Sequence, residues 1–155
     1  MNIKYYYFID EFNKNEIEKL SVQISLIYRN YHKKNDPKEL KKLVIHCRNN
    51  RRKVYISNNL KDAIKYNFNG LYIPSFHKQL RFQNITRMNL EIIGSAHNAI
   101  ELKIKENQGC SLIFLSPIFK NNKNKKFLDI IKTNLLKKLT KNQIVLLGGI
   151  NQKTI

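Results

Sequence analysis

Three apolar runs of strand length end abruptly in small or polar residues, and this pattern constrains the fold more than any other feature. The runs cover 92–98, 115–119 and 144–150. Their polar ends contribute Ser95, His97, Ser116, Gly148 and Gly149. In a parallel barrel the body of each strand is buried, and its carboxyl end opens into the loops that bind ligands. The pattern therefore predicts a small-molecule site formed by strand ends.

Strand-like and helix-like segments alternate along the whole chain. Strands are predicted over 5–9, 22–28, 53–56, 71–73, 91–94, 111–115 and 143–147. Helices are predicted up to Leu20, after Asp36-Pro37, over 60–66 and over 98–107. Strands separated by helices at intervals of roughly 20 to 30 residues are typical of parallel βα units. We therefore predict an α/β fold, a TIM-type (β/α) barrel of parallel strands, as a single domain over residues 1–155.

The segment after Asp36 has a clear helical signature. Pro37 stands in the first turn, where its missing N–H donor is harmless. The apolar residues that follow recur at helical spacing on one face. They are Leu40, Leu43, Val44 and Cys47. We expect this face to be buried.

The number of predicted strands falls one short of a closed barrel. An eight-stranded barrel usually needs about 200 to 250 residues, whereas this chain has 155. We therefore expect about seven of the eight βα units. Either the sheet stays open, a partner fills the gap, or the chain is a fragment. Because proteins normally cover open sheet edges, we expect lower stability or a homo-oligomer.

The net charge of +18 has two interpretations. The chain carries 29 Lys and Arg residues against 11 Asp and Glu, and such a surface binds nucleic acids by displacing counterions. The basic residues are spread along the whole chain, however, and asparagines outnumber the acidic residues, a bias that A/T-rich codons produce. We favour the second interpretation, with a phosphorylated small molecule as the partner and nucleic-acid binding as a remote alternative.

Composition also indicates a compartment. No run approaches the ~20 apolar residues of a membrane span, and the start MNIKYYYFIDEF lacks the apolar core of a signal peptide. Cys47 and Cys110 have no metal-ligand spacing and fit reduced thiols. We expect a cytoplasmic protein without a membrane partner.

Six strand ends carry short motifs in a fixed order. The second strand ends at Arg29, and later ones end in I-S-N-N (56–59), G-L-Y-I-P-S-F-H (70–77), I-G-S-A-H (93–97), S-P-I-F (116–119) and L-G-G-I (147–150). This series resembles the superfamily of thiamine phosphate synthase and its sister, the thiazole tautomerase. The corresponding family motifs are an Arg, I-N-D-R, G-V-H-L-G-Q-x-D, I-G-x-S-x-H, G-P-I-F and I-G-G-I. The resemblance covers nearly the whole chain and implies the same barrel.

This chain departs from the family pattern at the positions of the two metal-binding aspartates. The synthase joins an aminopyrimidine diphosphate to a thiazole phosphate, and a divalent cation neutralises the charge on the leaving diphosphate. The family's two metal-binding aspartates correspond here to Asn58 and His77. An amide and an imidazole are poor ligands for Mg²⁺, which prefers carboxylate oxygens. The resemblance therefore implies no metal ligands at these positions, and Mg²⁺ as a cofactor only if synthase activity is retained.

Other positions of the resemblance concern substrate and phosphate. The planar guanidinium of Arg29 matches phosphate oxygens, and Gly148-Gly149 resembles a turn whose backbone N–H groups approach a phosphate. The family's phosphate-binding Thr and Lys fall near Asn121, where Lys123 is available as a replacement. The predicted substrate-binding set is completed by Ser57, Asn58 and Ser116.

His97 is the predicted catalytic residue. In the tautomerase branch a His at this strand end resembles the group that transfers a proton on the thiazole carboxylate phosphate. Imidazole groups titrate near neutral pH and do such work without a metal. Ser95, two residues earlier, is expected on the same strand face as a second candidate. The alternative is that His97-Asn98 only cap the following helix.

The sequence therefore predicts a thiamine phosphate synthase-like protein that handles thiazole phosphate and aminopyrimidine diphosphate. A metal-independent thiazole tautomerase that uses His97 and a homologue that has lost catalysis stay open as alternatives. In the first two cases the protein is an enzyme, either a transferase or an isomerase.

Overall fold

Seven parallel strands alternate with five helices in the residues that the computed structural model describes, which are 4–80, 89–118 and 127–147. The chain divides into two compact units, Met1–Tyr72 and Ile73–Ile155. They are called unit 1 and unit 2 below.

Unit 1 holds the first four strands and three helices. They are β1 (Tyr5–Ile9), α1 (Lys14–Lys19), β2 (Ile24–Tyr28), α2 (Pro37–Asn49), β3 (Val54–Ser57), α3 (Leu60–Lys65) and β4 (Gly70–Ile73). β1 to β4 pair in parallel in the order of the sequence. β2, β3 and β4 are buried over most of their length, without the polar alternation of a one-sided sheet. Near-continuous burial is what parallel strands covered on both faces show.

The sequence prediction for α2 is confirmed. Asp36 is its N-cap and accepts a hydrogen bond from the Lys38 backbone N–H at 3.0 Å. Pro37 is the first residue of the helix, where no partner for its nitrogen is needed. The buried face comprises Leu40, Leu43, Val44 and Cys47.

A buried arginine joins the segments at the amino end of β2. One terminal nitrogen of Arg52 donates to the carbonyls of Ser21 and Ile24, both at 2.9 Å. The other donates to the carbonyls of Ile17 and Leu20, at 3.3 and 2.8 Å. Because buried carbonyls need donors, one guanidinium satisfies four groups where α1 runs into β2.

Unit 2 holds the remaining three strands and two helices. They are β5 (Glu91–Ala96), α4 (Ala99–Asn107), β6 (Leu112–Leu115), α5 (Asp129–Lys138) and β7 (Gln143–Leu146). β5 pairs in parallel with β6, and β6 with β7. β5 continues two residues beyond the predicted end, so that Ser95 lies within the strand.

The helix α5 was not among the predicted helices. Its apolar residues Ile130, Ile131 and Leu135 are exposed, whereas Thr133 and Leu136 are buried. The apolar pattern therefore does not mark the buried face. Its N-cap, Leu128, makes no side-chain cap hydrogen bond. α5 therefore lacks two sequence signals of a helix, a side-chain N-cap and an apolar face that matches the buried face.

A lysine and a glutamine lie buried between α4 and the chain that follows β4. The Lys105 ammonium donates to the carbonyl of His77 at 2.7 Å and to the Gln108 side chain at 2.8 Å. The Gln108 amide donates to the carbonyls of His77 and Gln79, at 2.9 and 2.8 Å. Burial lowers the pKa of Lys105 from 10.5 to about 8. Three of these four bonds hold residues 77–79 against α4.

The contact of α4 with β5 requires a glycine at position 94. A Cβ there would lie 2.9 Å from both the Cys110 sulfur and Cδ of Lys105, and 3.1 Å from the carbonyl oxygen of Ile73. Gly109, just after α4, is needed for another reason: its φ is +79°, and nothing lies within 4 Å of a Cβ built on it.

The predicted fold class is confirmed. Parallel strands alternate with helices as in a TIM-type (β/α) barrel that has about seven of its eight units. The second strand starts at Ile24 rather than Val22, which is exposed. Within the described ranges, no helix combines the length and the apolar character needed to cross a membrane.

Candidate functional site

Arg29 lies at the carboxyl end of β2 between two aromatic rings. Its guanidinium carbon is 4.4 Å from the ring centre of Phe8 and 5.7 Å from that of Tyr31. Its backbone N–H donates to the carbonyl of Ile9 at 2.7 Å and extends the β1–β2 ladder. Stacking uses the faces of a guanidinium, whereas its N–H donors lie in its plane. Arg29 is therefore held by its neighbours in a way that is compatible with binding an anion.

Tyr31 connects Arg29 to the predicted residue Ser57. The Tyr31 hydroxyl lies 3.4 Å from Oγ of Ser57, the last residue of β3. Asn58 follows with a φ of 54°, and its backbone N–H donates to the carbonyl of Tyr72 at 2.9 Å. The side-chain oxygen of Asn58 is buried without a hydrogen-bond partner among the described residues. Unit 1 thus brings Arg29, Ser57 and Asn58 to neighbouring strand ends.

A cavity of about 580 Å³ opens beside Ser57 and Asn58, and most of its charges are positive. We call it the basic cleft. Its charged lining residues are Lys33, Lys34, Lys61, Lys65 and Asp62. The carboxylate of Asp62 accepts hydrogen bonds from the side-chain amides of Asn35 and Asn59, at 3.2 and 2.7 Å. Four ammonium groups against one carboxylate that is already hydrogen-bonded favour an anionic ligand.

The imidazole of His97 is hydrogen-bonded through both nitrogens in unit 2. Nδ1 contacts the backbone oxygen of Ser116, and the Ser116 hydroxyl lies 3.4 Å from the same nitrogen. Nε2 lies 2.9 Å from Oγ of Ser75. Because a carbonyl oxygen only accepts, Nδ1 carries a proton. In the neutral ring, Nε2 then accepts the hydroxyl hydrogen of Ser75.

The backbone of His97 is fixed by the first turn of α4. Its N–H donates to the Glu101 carboxylate at 2.8 Å, while the N-cap Asn98 accepts from the Glu101 N–H at 2.9 Å. Asn98 therefore caps the helix, as the alternative interpretation held, and the imidazole is left to its contacts with Ser75 and Ser116. His97 is exposed, but its contacts with Ser75 and Ser116 hold the ring in one orientation.

The catalytic interpretation missed Ser75. It stands one residue after Pro74, beyond the carboxyl end of β4, and is half-buried. A sequence signal was available, because Ser75 takes the place of the glutamine in the motif G-V-H-L-G-Q-x-D, which the segment 70–77 resembles. Only the contact with His97 shows why the position matters.

Ser95 and Ser116 have different surroundings. Ser95 is 5% exposed inside β5, opposite Phe114 of β6. The hydrogen bonds of the His97 ring go to Ser75 and Ser116 instead. The predicted second catalytic residue, Ser95, makes no hydrogen bond to the His97 ring among those described, whereas Ser116 contributes through its backbone. The predicted residues Asn121, Lys123, Gly148 and Gly149 lie outside the described residues.

The donors at the family's metal positions do not fit Mg²⁺. Asn58 offers a neutral amide, and His77 is half-buried with its backbone oxygen engaged by Lys105 and Gln108. The described part of the chain contains no group of three His, Cys, Asp or Glu residues that could hold a metal. Because Mg²⁺ prefers several oxygen ligands, carboxylates above all, these residues give no basis for a metal-dependent step.

The two cysteines are not candidate nucleophiles. Burial raises the pKa of Cys47 to about 11 and that of Cys110 to about 12. Both are free and buried. Because the thiolate is the reactive form, they act as small apolar residues of the core.

Comparisons with known proteins give a relationship at the level of the fold. No protein-family model matches the chain, and no curated protein matches its sequence. A solved thiamine phosphate pyrophosphorylase from Pyrococcus furiosus is similar with a TM-score of 0.67 and 16% identity, over 97% of this chain and 77% of that one. FabK from Thermotoga maritima gives 0.64 and 11%, over 83% of this chain and 44% of that one.

A U32 peptidase gives a TM-score of 0.63 and 6% identity, over 92% of this chain and 67% of that one. Proteins with quite different names thus share this architecture, so the fold by itself does not select an activity. The similarity to the pyrophosphorylase shows a shared fold.

Proposed function

We propose that this protein is an enzyme of the thiazole tautomerase type. It acts on a phosphorylated thiazole and uses His97 for metal-independent proton transfer. The observation that carries the proposal is the imidazole held through both nitrogens at a strand end. A general base needs a defined tautomer and orientation before it needs anything else. Both follow from the bond between Nδ1 and the Ser116 carbonyl.

The proton transfer uses Nε2. With Nδ1 protonated, Nε2 of the neutral ring accepts a proton from one atom of the substrate ring and the imidazolium returns it at another. The Ser116 carbonyl stabilises the imidazolium through its Nδ1–H. The substrate enters by replacing the Ser75 hydroxyl as the partner of Nε2. A positioned general base of this kind typically contributes about 10²- to 10⁴-fold in rate.

For the residues of unit 1, taken by themselves, we propose phosphate binding. Arg29 presents a stacked guanidinium, and the basic cleft beside Ser57 and Asn58 carries four lysines against one carboxylate. Phosphate oxygens match the planar donors of an arginine and are attracted by nearby ammonium groups. Asn121, Lys123, Gly148 and Gly149 are further proposed contacts from the resemblance alone.

Coupling of thiazole phosphate with aminopyrimidine diphosphate is the second candidate. The similar structure of a thiamine phosphate pyrophosphorylase favours it. The donor set at Asn58 and His77 speaks against it, because this reaction requires Mg²⁺ at the leaving diphosphate. For both candidate functions, the proposed partner is a phosphorylated small molecule.

One experiment separates the two candidates. Conversion of thiazole carboxylate phosphate is followed by NMR in D₂O, and formation of thiamine phosphate from both precursors by fluorescence, each with EDTA or with Mg²⁺. Tautomerisation that persists in EDTA and falls at least about 100-fold in His97→Gln supports the proposal. His46→Gln, on α2, is the matched control.

Two other results would change the conclusion. Coupling that appears only with Mg²⁺ would favour the synthase, and Arg29→Ala should then abolish it. If neither reaction occurs with the wild-type protein, the proposal of an active enzyme is wrong and a homologue without catalysis remains.

A further inference from the structure

Ser75, His97 and the Ser116 carbonyl form a hydrogen-bonded chain, and the Ser75 hydroxyl is the one member that proton transfer on a thiazole does not need. Oγ of Ser75 lies 2.9 Å from Nε2, and Nδ1 is bonded to the Ser116 oxygen. A nucleophilic hydroxyl, a base and a group that orients the base are the three parts of an activated serine. Here the orienting group is a backbone carbonyl.

We propose that Ser75 is a nucleophile for acyl transfer from small carboxylic esters, with His97 as its general base. Ser75 is half-buried and His97 is exposed, so both are within reach of a dissolved ester. The next residue, Phe76, is 64% exposed and offers an apolar surface beside the hydroxyl. That surface favours esters with an aryl or short apolar group.

The reaction balances without a metal or a redox partner. Oγ of Ser75 attacks the ester carbonyl carbon while Nε2 of His97 takes the hydroxyl proton. The tetrahedral intermediate collapses, the bond to the alcohol oxygen breaks, and the imidazolium returns the proton to the leaving alcohol. Water then attacks the acyl-serine with Nε2 as base. The carboxylic acid leaves and Ser75 regains its proton.

Surrounding groups support the charge changes in this cycle. The Nδ1–H of the imidazolium is held by the Ser116 carbonyl. The buried thiols of Cys47 and Cys110 do not compete for an ester in solution.

The test uses the full chain with two probes, an aryl acetate that releases a coloured phenol and a fluorophosphonate that labels activated serines. Hydrolysis is followed by absorbance, and the label by intact mass and peptide mapping. We expect one label per chain, on Ser75. Ser75→Ala should lose it, and His97→Gln should slow labelling at least about 100-fold.

Ser111→Ala is the matched control, because Ser111 precedes β6 at its amino end and donates to the Ile92 carbonyl at 3.1 Å. It should be labelled at the wild-type rate. Circular dichroism establishes that each variant is folded. If Ser75→Ala is not, Ser75→Cys gives a second test: iodoacetamide should alkylate that thiol, and the additional His97→Gln change should slow alkylation.

Three results would overturn the inference: an unlabelled wild-type protein, a label on another residue, or ester hydrolysis that persists in folded Ser75→Ala. The last would show direct acylation of the exposed imidazole. Neither probe contains a thiazole or a phosphate ester. Failure of the proposed thiazole chemistry and failure of the Ser75 inference are therefore separate observations.

Discussion

Each unit contains a buried cation that binds backbone carbonyls, but the two cations differ in kind. In unit 1, Arg52 donates to four carbonyls from two nitrogens. In unit 2, Lys105 donates to one carbonyl and leaves another to the amide of Gln108. A guanidinium keeps its charge over the whole pH range of folded proteins, whereas an ammonium gives up its proton when buried. We infer that the contribution of Arg52 to stability is independent of pH, whereas the contribution of Lys105 depends on pH.

The strand ends of the two units differ in a similar way. Unit 1 presents charge, with Arg29 between aromatic rings and four lysines around the basic cleft. Unit 2 presents an imidazole that is hydrogen-bonded through both nitrogens. One arrangement suits binding of an anion and the other suits movement of a proton. The predictions that follow test this contrast, from the largest expected effect to the smallest.

Replacing Arg52 should have the largest effect on stability. Arg52→Met removes four hydrogen bonds from the α1–β2 connection, where the carbonyls of Ile17 and Ser21 keep a backbone N–H donor. The change should cost about 3 to 5 kcal/mol of unfolding free energy. Chemical denaturation measures this cost. The control is Arg51→Met, because Arg51 is exposed and should change stability by no more than about 0.5 kcal/mol. A loss below about 1 kcal/mol would show that water replaces the guanidinium.

Lys105 should make stability depend on pH. Its pKa is lowered to about 8, so between that value and 10.5 the unfolded chain binds a proton that the folded chain does not. Unfolding free energy should therefore rise with pH across this window, by no more than roughly 3 kcal/mol from this group. Below the window both states are protonated, and the folded state bears the cost of a buried charge.

The comparison is made as a difference between variants. Cys110, with a raised pKa, makes stability fall above about pH 9. Because the Lys105 charge lowers the pKa of Cys110, the wild type and Lys105→Met are compared below pH 9. Lys105→Met should lack the rise and be at least as stable as the wild type at pH 7. Lys103→Met, at an exposed pair with Glu106, should keep it. Equal slopes in the wild type and Lys105→Met would contradict the linkage.

The packing behind Lys105 predicts a smaller loss. Gly94→Ala places a methyl group 2.9 Å from Cδ of Lys105 and from the Cys110 sulfur. Overpacking of this kind costs about 1 to 3 kcal/mol. Gly109→Ala has free space but a positive φ, which costs about 1 kcal/mol. If thermal unfolding shows Gly109→Ala to be the worse variant, the helix moves away from β5 more easily than the contacts suggest.

A lysine of the basic cleft should have the smallest effect. Lys61→Gln should weaken binding of inorganic pyrophosphate about two- to five-fold at low salt, because one exposed charge contributes less than about 1 kcal/mol. The loss should shrink as salt is added. Titration calorimetry measures both. Lys14→Gln removes the same charge from α1, outside the cleft. If it weakens pyrophosphate binding as much as Lys61→Gln does, binding reflects the net charge of the protein and not the basic cleft.

Much of the fold follows from local signals in the chain. Asp36-Pro37 and the apolar spacing from Leu40 to Cys47 predicted α2, and strand-length runs predicted all seven strands to within two residues at each end. The missed helix α5 has apolar residues that remain exposed. Periodicity reports burial, so it fails where the tertiary structure buries Thr133 instead.

The candidate site was predictable only in part. His97 and Arg29 stand out because strand ends in parallel sheets collect ligand-binding groups. Tyr31 belongs to no recognisable pattern until Ser57 is brought within hydrogen-bond distance. Ser75 stands in a motif, but only its contact with His97 shows its importance. Ser95 was placed by strand periodicity, but β5 runs on to Ala96 and keeps it buried.

The order of strands and helices was determined by the sequence alone, because apolar spacing and helix caps act between residues a few positions apart. The chemistry of the strand ends was decided by the tertiary structure. The tautomer of His97 depends on a backbone oxygen 19 positions away, and the pKa of Lys105 on its burial. Hydrogen bonds and desolvation of this kind arise only once distant segments pack together, and no local pattern encodes them.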